Sequence, residues 1–270
     1  GTANTGGGGG GGGNDANGGN GGSGIVIIRY KAIDAISAVS GSPIVFRGKP
    51  SLSIGQALGG GYYAGRISTA GNGIADYALV VAPKATGQSA TTIPWGTTGV
   101  TTGITSVIAG PTNSAALAAI GNEYEAATYC EGLSIGGNTD WYLPAQNELE
   151  VVYYFLKPET TANSTGAGSN ANAVPPEPIS TNHTAGSPAR TSASLFQKGQ
   201  SEAFNDTGGG YWTSTENAAN YAMQNEFQNG AQANDTKTTH NYVRCVRRVE
   251  VSSIASSLTT TPIIFRRPPP

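Results

Sequence analysis

Residues 1–24 are glycine with a few Asn, Ser, Thr, Ala and Asp, and offer no hydrophobic pattern from which to build a core. Alone, such a segment is expected to be disordered. Lacking Cβ atoms, it has a second option: extended three-fold helices that pack closely against copies of themselves. It passes directly into Gly24-Ile25-Val26-Ile27-Ile28-Arg29-Tyr30, whose β-branched run predicts a buried strand. Residues 31–51 read as a connector with turn signals at Ser40-Gly41-Ser42-Pro43 and Gly48-Lys49-Pro50, and Ile44 to Phe46 as one more short strand.

From about Leu52 the pattern changes. A glycine-rich turn at Gly59 leads into Tyr62-Tyr63-Ala64-Gly65-Arg66-Ile67. A turn at Gly71-Asn72-Gly73 follows, then Tyr77 to Ala82, a strand ending at Pro83. Residues 84–112, a polar Thr/Gly segment around Trp95, read as loop. Asn113-Ser114 can cap a helix from Ala115 to about Gly132, with Leu117, Ile120, Tyr124, Ala127 and Thr128 at helical spacing. A second helix follows Trp141-Tyr142-Leu143-Pro144, with Pro144 suited to its first turn. Leu149, Val152, Tyr153 and Leu156 form its apolar face, and Pro158 stops it. Residues 159–210 lack apolar periodicity; so long a loop is expected to be functional or disordered. Three strands are predicted at Tyr211 to Glu216, Met223 to Phe227 and Asn241 to Val249, with Asn/Gly-rich turns between. The closing Ile263-Ile264-Phe265-Arg266-Arg267-Pro268-Pro269-Pro270 reads as a strand and an extended tail.

Composition narrows the class. The 270 residues carry a formal charge of −2, with 12% charged and 37% hydrophobic residues. Gly, Ser, Thr and Asn replace the missing charge, the mix of a loop-rich or β-rich surface protein. The longest apolar runs fall far short of the roughly 20 residues that span a bilayer, so no membrane insertion is expected. The absence of an internal Lys/Arg cluster argues against nucleic acid as partner. The opening residues show no basic and apolar leader, which leaves a processed or partial chain, or release by host lysis within a virion. Cys130 and Cys245 have no C-x-x-C neighbour, which argues against a zinc site or a thioredoxin-like motif. They are either one long-range disulfide or two buried thiols.

Four strings, in order, carry a resemblance. Trp141-Tyr142-Leu143-Pro144-Ala145-Gln146-Asn147-Glu148-Leu149 resembles a W-x-L-P-x-x-x-E-L helix start, and Tyr211-Trp212-Thr213-Ser214-Thr215-Glu216 a Y-W-S-S-T-E strand. Phe227-Gln228-Asn229-Gly230 resembles an F-x-N-G turn, and Tyr242-Val243-Arg244-Cys245-Val246-Arg247 a closing V-R-C-V-R strand. Over residues 52–249 the chain resembles the C-type-lectin-like C-terminal domains of bacterial collagen-like adhesins, and the glycine-rich start resembles modules of phage tail proteins. The resemblance implies an α+β, C-type-lectin-like fold of two helices, short antiparallel sheets and a long loop region. It also implies a Cys130–Cys245 bridge from the first helix to the last strand. The organisation expected is a glycine-rich stem at 1–30, a connector at 31–51, the lectin-like domain at 52–250 and an extended tail at 251–270. Trp141, Leu143 and Trp212 are read as core.

In such folds recognition belongs to the long loop and the last strands. The candidate contacts here are Glu216, Asn217, Tyr221, Asn225, Gln228, Asn234 and Asp235, since amides both donate and accept and aromatic rings stack on sugars. The same Asn and Gly residues equally suit plain turns. Calcium could draw on Glu216-Asn217 and Asn234-Asp235, but the E-P-N or Q-P-D and W-N-D strings of calcium-dependent sugar binders are missing; no metal and no cofactor is expected. Nor is an enzyme. His183 and His240 lie in polar loop sequence and read as solvated, G-x-S-x-G is absent, and no carboxylate pair is selected among Glu148, Glu150, Glu202 and Asp206. Formylglycine-generating enzymes, which share the fold, need reactive cysteines that a disulfide would consume. The chain is thus expected to be extracellular, on a virion tail or a bacterial surface. Its partners would be a host-surface glycan or protein, copies of itself (a trimer by analogy with tail fibres) and other virion proteins. The rival reading is a structural virion or filament subunit whose lectin-like domain makes only subunit contacts.

Overall fold

The computed structural model describes residues 45–46, 52–174, 181–257 and 263–264; the predicted strand at Ile25–Ile28 and the glycine-rich stem lie outside them. The chain divides into two compact units, Gly1–Phe46 with Pro262–Pro270, and Arg47–Thr261. In the first, β1 (Val45–Phe46) pairs antiparallel with β11 (Ile263–Ile264).

The larger unit mixes helices with antiparallel sheet, an α+β arrangement. Its first sheet has the order β10-β4-β3-β2, from Val246–Glu250, Tyr77–Val81, Gly61–Ile67 and Ala57–Leu58. β3 bulges between Tyr63 and Arg66, where Gly65 takes φ +121. A Cβ on Gly65 would lie 2.6 Å from the Phe155 ring, so the glycine admits α4 (Gln146–Leu156) against the sheet. α4 buries Leu149, Val152, Tyr153 and Leu156 as its spacing predicts, but also Val151, Glu148 and Glu150, so it is buried nearly all round. Pro144 lies ahead of the helix rather than in its first turn, and its carbonyl accepts from the Ser214 amide at 2.8 Å.

The helix predicted over Ala115 to Gly132 is two helices, α2 (Gly110–Ile120) and α3 (Glu125–Glu131). Gly121-Asn122-Glu123 interrupts them, which turns Tyr124 inward against Trp95 (ring centroids 5.6 Å) and leaves Ile120 49% exposed rather than in the core. Asn113 and Ser114 lie inside α2, not at a cap. The Asn113 amide donates to Ser106 O, and Ser114 Oγ accepts from the Leu143 amide.

Between β4 and α2 the chain forms the single-turn α1 (Lys84–Gly87) and β5 (Ile93–Pro94), which pairs with β9 (His240–Asn241). The second large sheet is β6-β7-β8, from Tyr211–Ala218, Tyr221–Asn225 and Gln232–Thr236; β8 occupies a stretch whose sequence reads as turn. The closing Asn241 to Val249 run is not one strand, because β9 and β10 are separated by Tyr242 to Cys245. α5 (Val251–Ser257) follows β10, where an extended tail was predicted.

Two large apolar clusters fill most of the interior, beside a small third one of Tyr63, Ala78 and Ile254. One joins α4 and β3 to Phe196, Phe204, Tyr211 and Phe227, the last stacked on Phe204 at 3.8 Å. The other gathers Trp95, Trp141, Trp212, Leu117 and Tyr124 around the disulfide between Cys130 and Cys245 (S–S 2.02 Å). The long irregular stretch supplies Phe196 and Phe204 to the first cluster, so part of it is anchored in the core.

Candidate functional site

The loops over this core are fastened by buried charges. Arg244, inside the protein, donates to Glu202 Oε2 at 2.7 Å and to Ala82 O, and stands over the Phe204 ring. Glu148 accepts from Tyr142 Oη at 2.5 Å, from the Ala145 amide and from Arg248 Nε at 2.8 Å; burial pushes its carboxyl above the usual range despite the arginine. His183, read from sequence as solvated, is 3% exposed, with Nε2 2.8 Å from Glu150 Oε1. It is a fastening between the long loop and α4. His240 is exposed, on β9.

The same device builds the β6-β7-β8 surface. Glu216, on β6, is 2% exposed and accepts from Lys237 Nζ at 2.6 Å and from the Thr102 and Gly103 amides. Burial alone would raise its carboxyl; Lys237 and those amides outweigh it and hold the group below the ordinary range. Lys237 also donates to Val100 O and lies over the Trp95 ring at 4.9 Å, while Trp95 Nε1 donates to Thr213 O. The 95–104 loop is therefore strapped onto β6. Its Gly99 amide meets Asn220 Oδ1 at 2.8 Å, which brings the exposed Val100 beside the β6–β7 turn.

The register then sorts the seven candidate contacts. Tyr221 faces Thr236 and Met223 faces Asn234 across β7 and β8. Strand alternation puts these four on one face, with Tyr221 44% exposed and Asn234 exposed. Asn217 is exposed near the end of β6, beside the same turn. Glu216 and Asn225 are interior rather than surface contacts: Glu216 is an ion-pair partner, while Asn225 is 1% exposed in register with Tyr211, its side-chain amide buried without a hydrogen-bond partner. Asp235 belongs to the other face, opposite Ala222, and accepts from Asn241 Nδ2 at 3.0 Å. Gln228 lies beyond the far end of β7, on the rim of a pocket of about 160 Å³ lined also by Asp206, Thr207, Gly208, Glu226 and Phe227.

Sequence reasoning missed Met223, Thr236 and Val100 because a mixed apolar and polar face has no signature until the register is known. The resulting surface presents a phenol, amides, a hydroxyl and apolar side chains. Such a set can hydrogen-bond and stack. Among the described residues no three His, Cys, Asp or Glu side chains gather as a metal site. No helix there is long and apolar enough to cross a membrane.

Residues 86–247, more than half of the chain, match the family described as the Lcl C-terminal domain, and the chain belongs to that family. No curated protein and no solved structure matched it.

Proposed function

From the chain's place in the Lcl C-terminal domain family, a family of adhesin-like surface domains, we propose that it is an extracellular recognition protein. It acts by binding, without catalysis or cofactor, and its domain has a C-type-lectin-like fold. Supporting that fold are helices followed by a long irregular stretch and an antiparallel meander, with a disulfide from α3 to the residue before β10. The ligand is a cell-surface glycan or protein, held on the face carrying Asn217, Tyr221, Met223, Asn234 and Thr236. One observation carries this reading. A buried ion pair, Glu216 with Lys237, holds the loop and sheet beneath a half-exposed tyrosine and free amides, as in a preorganised binding face.

We further assign the chain to a fibre of the phage-tail type, in which the glycine-rich segment packs with its copies as a stem, in a trimer. The formal charge of −2 gives no electrostatic footprint for nucleic acid. The test is saturable binding of the full chain to a panel of candidate host cells and immobilised glycans, beside a Tyr221→Ala/Asn234→Ala variant. A loss of at least tenfold in affinity with unchanged melting is expected, since both side chains are exposed. Equal binding by the variant refutes this face. No binding by the folded parent on any surface favours the structural-subunit reading.

A further inference from the structure

β1 and β11 form a two-stranded antiparallel ribbon with Val45 opposite Ile264 and Phe46 opposite Ile263. The strings around these strands are near copies, Ser42-Pro43-Ile44-Val45-Phe46-Arg47 and Thr261-Pro262-Ile263-Ile264-Phe265-Arg266. Every position is either identical or exchanged for its nearest relative, Ser for Thr and Val for Ile. In that alignment Val45 and Ile264 are equivalent, so the register is centred on matching residues. Two like strands paired antiparallel about equivalent positions have a local two-fold axis, the symmetry of a self-complementary contact between identical chains. Either string can therefore satisfy the same backbone groups with its counterpart in another copy as it does within one chain.

A ribbon of two short strands is too small to be stable by itself, and each strand leaves one edge of N–H and C=O groups unpaired within it. The strings are β-branched and aromatic, and carry no charge until Arg47 and Arg266. Proline stands before each strand and arginine after it, so any ladder they build is short and fixed in register. A third run of the same kind, Ile25-Val26-Ile27-Ile28-Arg29, lies in the same unit.

We propose that this ribbon is a self-assembly clasp whose strands pair with those of a second copy of this chain. This goes beyond the recognition reading, because it assigns a contact between copies that is independent of the ligand face. The experiment is sedimentation velocity of the full, disulfide-intact chain over a wide concentration range, beside a Val45→Pro/Ile264→Pro variant. The substitutions remove one backbone donor from each strand. Both positions lie outside the unit Arg47–Thr261, whose thermal melting reports folding separately. The expected result is concentration-dependent association of the parent that is weaker in the variant, without a change in melting; assembly by the glycine-rich segment alone would leave the two alike. A parent that stays monomeric overturns the clasp. A variant that associates as the parent does also overturns it.

Discussion

At residue scale the candidate face depends on a charge it does not display. Glu216 and Lys237 meet at 2.6 Å with both side chains withdrawn from water. Removing one member of such a pair leaves the other buried and uncompensated, so Glu216→Gln is expected to cost about 3 kcal/mol at neutral pH. Its pH dependence has a definite sign. The folded carboxyl lies below its unfolded value, so its stabilisation is complete above the unfolded pKa of about 4.3. That stabilisation is lost as pH falls through the lower folded value. Glu148, raised by burial, contributes with the opposite sign: its stabilisation is present below the unfolded pKa and lost as pH rises through the folded one. The decisive quantity is therefore the difference between parent and variant in urea unfolding, which should narrow from pH 6 to pH 3 because Glu148 is common to both. A gap that stays constant would show that Glu216 is not ionised in the fold. The sequence could mark Glu216 as interesting but not as interior. Its partners are Lys237 and the Thr102 and Gly103 amides, 21 and more than 100 residues away, and no local spacing encodes that meeting.

Elements were legible where one side chain pattern dominates a short stretch. Tyr77 to Val81 and the apolar positions of α4 could be read directly, because burial against a single layer imposes the period. The break between α2 and α3 was hidden, since the apolar residues on either side of Gly121 keep helical spacing while the helix ends. β8, Gln-Ala-Asn-Asp-Thr, was hidden because it is held by its ladder to β7 and not by β-forming side chains. The β7–β8 turn is where sequence and packing coincide. Gly230 has φ +73, its amide donates to Glu226 O at 2.8 Å, and a Cβ there would lie 2.2 Å from the Tyr153 ring. Gly230→Ala is therefore strained in both backbone and packing, and is expected to cost at least about 2 kcal/mol. Gly73→Ala, at φ +74 with nothing within 4 Å of its Cβ, carries only the backbone part. Equal losses in denaturant titrations of the two variants would refute the packing argument.

At the scale of the whole molecule, a domain with so much irregular chain must hold its loops by something other than ladders. The described part of 159–210 has one turn of 3-10 helix, yet it is tied inward by His183 to Glu150, by Glu202 to Arg244 and by Phe196 and Phe204 in the core. The disulfide acts on the same problem from the unfolded side. It closes 115 residues, a span that includes α4, the long loop and the β6-β7-β8 face, and in the chain-entropy account is worth about 4–5 kcal/mol. Cys130→Ala/Cys245→Ala should therefore lose about that much in guanidinium unfolding, with the midpoint falling and the slope changing as the unfolded chain expands. The ion-paired fastenings are native contacts and make a different contribution, one that survives reduction as long as the domain remains folded. Hydrogen exchange separates the two. If the fastenings order the loop, the amides of His183 and Thr191, which donate to Ala167 O and Lys157 O, should stay protected from local opening in the folded double variant. Only exchange through global unfolding should then accelerate. Selective deprotection of those two amides would show instead that the disulfide orders the loop within the native state, and the buried charges would become secondary to it.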